Sequence, residues 1–194
     1  SVTDITPIMT MSAMGMKHAT PTALESTTYD ESFPAVQHAW VSFVMSSTEN
    51  DYWELSYKAG TGKQSVTHES SRLDVNAIAV GQAWLKSFKV GDDTFYLSLV
   101  NPTDWQTGGN TIRAYVSKKS VPATAPYALA SETFTIETYP RMPDMGNHTS
   151  PDNTPLTKQA DGSYQGNINL TMTGLWRIHL IVHDTSRSAE RVSR

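Results

Sequence analysis

Phe95-Tyr96-Leu97-Ser98-Leu99-Val100-Asn101-Pro102-Thr103-Asp104-Trp105-Gln106-Thr107-Gly108-Gly109-Asn110, followed by Ile112, Ala114 and Val116, is the stretch that decides the fold. Phe95, Leu97 and Leu99 alternate with Tyr96, Ser98 and Val100, the period of two that a pleated strand requires. A segment rich in Asn, Pro, Asp and Gly then turns the chain, and the alternation resumes. The same pattern recurs at Ala39, Val41, Phe43 and Met45, at Trp53, Leu55 and Tyr57, and at Phe134, Ile136 and Thr138. Near the end, Trp176, Ile178, Leu180 and Val182 oppose Arg177, His179, Ile181 and His183. No stretch has convincing helical periodicity. With 21 Ser and 24 Thr the chain is rich in small hydroxyl residues, and the branched Cβ of Thr favours strands. An all-β fold of antiparallel strands in sandwich form is expected.

At 194 residues the chain suits one large domain or two small ones. Fifteen Lys and Arg against 19 Asp and Glu argue against a general nucleic-acid binder, because phosphates need a basic face. No apolar run approaches the roughly 20 residues that cross a bilayer, and no N-terminal signal is visible. The lack of cysteine removes disulfides, thiolate zinc sites and cysteine nucleophiles together. Ala59-Gly60-Thr61-Gly62-Lys63-Gln64 imitates a phosphate loop but has neither its spacing nor a Ser or Thr after the Lys. There is no Gly-x-Ser-x-Gly elbow, and nothing pairs Asp92-Asp93 or Glu137 with a second carboxylate. A binding or structural protein is expected, not an enzyme.

Comparing the sequence with itself reveals a repeat. Met14-Gly15-Met16-Lys17-His18, Pro21, Leu24, Tyr29, Met45 and Trp53 return in order as Met145-Gly146-Asn147-His148, Pro151, Leu156, Tyr164, Met172 and Trp176. The first copy has the longer connection before its Trp, at Ser46–Asp51. The repeat places modules at 1–74 and 75–184 and a polar tail at 185–194. The second module has the length of one immunoglobulin-like sandwich, about 100 residues. The first is shorter and its Met-rich motif comes too early. It is therefore expected to lack its opening strands, and the natural chain is expected to extend N-terminal of Ser1.

Met9, Met11, Met14 and Met16 with His18 supply four thioethers and an imidazole in a short span. Thioether sulfur is soft and selects Cu(I) over hard cations. Met14, Met16 and His18 share one face of an extended strand, although its ends lie about 13 Å apart at 3.3 Å per residue. A curved loop would bring them closer. Met9 and Met11 could join only if Ser12–Ala13 turn the chain. In the second copy Met142, Met145 and His148 would converge through a turn at Pro143-Asp144. Methionine is also the usual filler of irregular core gaps, so packing is an equally physical reading of both clusters. His179 and His183 read as surface residues of a strand, and His38 and His68 have no partner spacing. Trp53 and Trp176 read as core anchors, while Trp84 and Trp105 lie near turns and could stack on a carbohydrate.

At Arg141-Met142-Pro143-Asp144-Met145-Gly146, with Asp161-Gly162-Ser163-Tyr164-Gln165-Gly166 and Met172-Thr173-Gly174-Leu175-Trp176 downstream, the chain resembles the YtkA-like (FixH-like) domain family of bacterial envelope proteins. The resemblance covers about 88–183 well and 9–58 in part. Asn147 stands where the family often has a third Met, Ala13 replaces its Pro, and the first copy lacks the Asp-Gly-x-Tyr-x-Gly element. The resemblance implies two tandem immunoglobulin-like β-sandwich modules in the cell envelope, as a periplasmic protein or an outer-membrane-anchored lipoprotein with its lipid anchor upstream of Ser1. It also implies copper or another soft metal as the ligand. Met14, Met16 and His18 form the better expected metal site, and Met142, Met145 and His148 a degenerate one. An envelope protein is the expected macromolecular partner, with no nucleic acid and no transmembrane segment in this chain. The rival expectation is a structural or adhesive immunoglobulin-like protein whose methionines only pack.

Overall fold

In the computed structural model, residues 2–25, 37–61, 64–79 and 84–186 are described. The fold is all-β, with antiparallel sheets throughout; among the described residues the helical pieces are single 3-10 turns at Ser12–Met14 and Pro143–Met145. No helix among them is long and apolar enough to cross a membrane. Two compact units form, one from Ser1–Tyr96 with Ser117–Leu129, the other from Leu97–Val116 with Ala130–Arg194.

In the first unit β1 (Val2–Met11) is central. It pairs on one edge with β2 (Met16–His18) and on the other with β5 (Asp51–Thr61), which continues to β6 (Gln64–Leu73). β3 (Thr22–Leu24) and β4 (Ala39–Val41) form a separate short ladder, and β7 (Leu85–Val90) carries Phe88 onto Phe95 in a 5.4 Å stack. The alternation of β1 buries Pro7, Met9 and Met11. Met9, Met11 and Trp53 form the core cluster, with Phe43, Val44, Leu73 and Val75 packed around it. The phosphate-loop imitation is the end of β5 and the start of β6, with Gly62 and Lys63 outside the described residues. Tyr29 and most of the polar tail also lie outside them.

The second unit takes the larger part of β8 (Asp93–Asn101) and β9 (Gly108–Lys118), from Leu97 to Val116, together with β10 (Phe134–Met142), β11 (His148–Thr149), β12 (Thr154–Lys158), β13 (Tyr164–Leu170) and β14 (Arg177–Asp184). The sheet that contains these strands runs β11-β10-β12-β13-β9-β8-β7, and β14 takes the other edge of β10. The stretch quoted first is the β8–β9 pair, which places Phe95, Leu97, Val100, Ile112, Ala114 and Val116 among the buried residues. Alternation in β10 buries Phe134, Ile136, Thr138, Pro140 and Met142, because one face of the strand is packed while the other meets water.

The internal repeat is a structural one. β1 and β10 each end in a 3-10 turn closed by a left-handed glycine, Gly15 at φ +60° and Gly146 at φ +62°, where any Cβ is strained. Each then returns along its own edge as β2 or β11. The second hairpin holds one more residue, Asn147, itself at φ +59°.

Candidate functional site

The repeat assembles a row of three residues across three strands. Met9 lies opposite His18 of β2 on one side and Trp53 of β5 on the other. In the second unit Met142 lies opposite His148, and the neighbouring pair Arg141–Arg177 puts Trp176 at the other end of the row. The second row lies at the last pair of its hairpin, two residues nearer the turn than the first row, and so on the same face. In both rows the central methionine is buried, so Met9 and Met142 pack. The packing at Met142 is close: a Cβ placed on Gly174 would lie 2.6 Å from its Cε. Of the expected site residues Met142 is thus a core residue, and its sulfur is not offered to a ligand.

The other thioethers behave differently. Met14 is 62% exposed, Met16 54% and Met145 56%, so none of them fills a core. Met14, Met16 and His18 do not lie on one extended strand as their spacing suggests. Ser12–Met14 is the 3-10 turn, and only Met16–His18 is strand. This turn brings Met16 directly opposite the buried Met11 and leaves Met14 at the hairpin tip.

Sequence reasoning missed Met45 as a ligand candidate. It was expected at the end of a strand, but β4 stops at Val41 and the chain folds back irregularly. Ser47 anchors that segment, its N–H donating to Val75 O at 2.8 Å and its hydroxyl to Leu73 O at 3.3 Å. Trp53 Nε1 donates to Met45 O at 3.0 Å. The result sets Met45 Sδ 3.3 Å from His18 Nε2. The signal that could have found it is the repeat itself, since Trp176 Nε1 donates to Met172 O at the same 3.0 Å across a shorter loop.

Nδ1 lies 2.8 Å from Ala19 O, so the tautomer with its proton on Nδ1 donates to that carbonyl. In the neutral ring Nε2 then turns a lone pair toward the Met45 sulfur, which also carries lone pairs. In that tautomer the pair can hold a soft cation, whereas with a proton on Nε2 the same contact is an N–H···S hydrogen bond. A carbonyl that accepts the second ring N–H is the usual outer support of a ligating His. Met16 and Met14, both exposed, stand on the same hairpin as His18. Trp53 meets the His18 ring edge-on at 5.4 Å and closes the inner side.

The second copy is chemically harder. His148 Nε2 lies 3.3 Å from Thr171 Oγ1 and its ring is 6.1 Å from Trp176. Met145 and Met172 are exposed, but no thioether contact to His148 accompanies them. Among the described residues no three His, Asp or Glu side chains gather as a site for a hard cation. His38 and His179 are exposed, His68 stacks on Tyr57 at 4.9 Å, and His183 pairs with Glu137 at 3.2 Å. Trp84 and Trp105 are exposed as expected. No protein-family model matches the chain, and neither a curated protein nor a solved structure matches it.

Proposed function

We propose that the protein is a non-enzymatic binding module that holds copper as Cu(I), or another soft cation, at His18 and Met45 with Met16 or Met14 as the third donor. The observation that carries this reading is the 3.3 Å approach of Met45 Sδ to His18 Nε2, with Nδ1 of the same ring already committed to Ala19 O. Exposed thioethers on the adjoining hairpin support it, because soft sulfur ligands favour Cu(I) and exposed methionine brings no packing gain. His148 with Met145 is a weaker second site, since its ring nitrogen faces a hydroxyl. The resemblance to YtkA-like modules supports two tandem immunoglobulin-like sandwiches, at 1–74 and 75–184, in a periplasmic or lipid-anchored envelope protein.

A second reading has its own support. Met9, Met11 and Met142 are buried and pack, as they would in a structural or adhesive protein. An anaerobic Cu(I) titration against a chromophoric chelator separates the two. His18→Ala, Met45→Leu and Met14→Leu/Met16→Leu are each expected to weaken binding by tenfold or more, about 1.4 kcal/mol. Affinity equal to wild type in all three variants would sink the metal reading.

A further inference from the structure

A strand at the end of a sheet carries a row of unpaired backbone N–H and C=O groups, and proteins blunt such edges with short strands, bulges, lysine or proline. The other sheet edges of this molecule are blunted in these ways. β2 has three residues, β11 two, and β3 and β4 three each. β7 carries Lys86 and Lys89, and β6 is interrupted by a register shift opposite Glu54 and Ser56. On β10 the edge between β12 and β11 is open from Glu137 to Pro140, and Pro140 has no N–H to offer.

β14 has none of these devices. It runs eight residues, Arg177–Asp184, in unbroken register with β10, and contains neither lysine nor proline. Among the described residues no strand pairs with its other edge. Its middle is apolar on both faces and open to solvent. Leu180 is 37% exposed on the face it shares with Ile178 and Val182, and Ile181 is 46% exposed on the opposite face. A long apolar edge of this kind is a template for another strand.

The sequence of β14 matches itself. In an antiparallel pair about a two-fold axis normal to the sheet, each face of one strand continues as the same face of the other. An axis through Leu180 sets Leu180 against Leu180 and Ile178 against Val182, an unbroken apolar row on one face. On the other face it sets His179 against Ile181 and Arg177 against His183. An axis through Ile181 would instead set Asp184 against Ile178 and His179 against His183.

Charge favours the first register. Arg177 stands opposite the like-charged Arg141 and has no carboxylate partner among the described residues. In the facing copy it arrives beside His183, which pairs with the partly exposed Glu137 at 3.2 Å. With strands about 4.8 Å apart and a rise of about 3.4 Å per residue, the Cα atoms of Arg177 and the facing Glu137 lie about 12 Å apart. The two side chains together span that distance.

We propose that β14 pairs antiparallel with β14 of a second copy, about a two-fold axis at Leu180, to give a dimer with one sheet continuous through both chains. An edge of eight residues is a contact at the low end of the roughly 1,200–2,000 Å² of specific interfaces. The dimer is therefore a reversible one, dissociating in the micromolar range.

Sedimentation equilibrium over a concentration series, with a chelator present to exclude metal, tests this. Wild type should pass from monomer to dimer. Ile181→Lys and Arg177→Glu should each weaken the dimer about tenfold or more, with the monomer's melting temperature unchanged because both side chains are exposed. The chain has no cysteine, so Leu180→Cys gives a single thiol at the two-fold axis, and mild oxidation should link it to itself. Val66→Cys, on the edge strand β6 and more exposed, should stay unlinked under the same conditions. A monomer at every concentration would overturn the proposal. So would a dimer that Ile181→Lys and Arg177→Glu leave intact, or oxidation that links Val66→Cys or Ile181→Cys as readily as Leu180→Cys. Ile181→Lys, changed only at an exposed side chain, keeps the proposal open to measurement if Leu180→Cys misfolds.

Discussion

Trp53 shows how much one side chain carries. It is fully buried, meets Phe43 edge-on at 5.0 Å, and donates to the carbonyl of Met45. Trp53→Phe keeps most of the apolar volume but deprives that carbonyl of its donor, a loss of about 1–3 kcal/mol in urea unfolding. The same change releases the segment that presents the Met45 sulfur, so Cu(I) affinity should fall with stability. Stability lost without any change in affinity would separate Trp53 from the site. The anchoring role of Trp53 was legible from its place in an alternating strand. The partnership of His18 with Met45 was not, because it depends on a fold-back at Ser46–Asn50 that has no periodic signal.

At the scale of elements, hairpins and their turns account for most of the order. The turn between β12 and β13 is an example. Asp161 accepts the hydroxyl of Ser163 at 2.7 Å, its N–H at 2.9 Å, and Arg113 at 3.0 Å. These contacts, led by the Ser163 hydroxyl, hold the Asp161 carboxyl below its ordinary range against the opposing effect of burial. A carboxylate whose pKa is lowered on folding stabilises above its unfolded value, near 3.9, and that contribution fades as pH falls through the folded value. The side chain is about half exposed, so the amount is under about 1 kcal/mol. Asp161→Asn should therefore unfold at lower urea than wild type at pH 7, and the gap should narrow at pH 3. A gap of the same size at both pH values would contradict this account. Asp161-Gly162-Ser163-Tyr164 was legible as a motif, whereas its function as a turn lock required the positions of Arg113 and of Glu132, to which the buried Tyr164 hydroxyl donates.

For the molecule as a whole, the stronger of the two proposed metal sites belongs to the first unit. Cu(I) added under reducing conditions should slow amide exchange in β1, β2 and the Ser42–Thr48 segment far more than in β10 and β11. Equal protection of the two hairpins would instead make the sites equivalent and remove the distinction drawn between Met45 and Thr171. The sequence by itself determined the all-β character, because alternation sets which face of a strand is buried wherever the strand lies. It also determined the repeat and the pairing of each Met-rich turn with a later Trp. Tertiary structure decided which methionines pack and which are presented. Burial depends on what covers a strand: Met9 with Met11 and Met14 with Met16 repeat at the same spacing of two, yet the first pair is buried and the second exposed. It also decided the gap on the edge of β10, since how far β11 and β12 reach along a neighbour is set by register and by the loop between them, which local pattern does not encode.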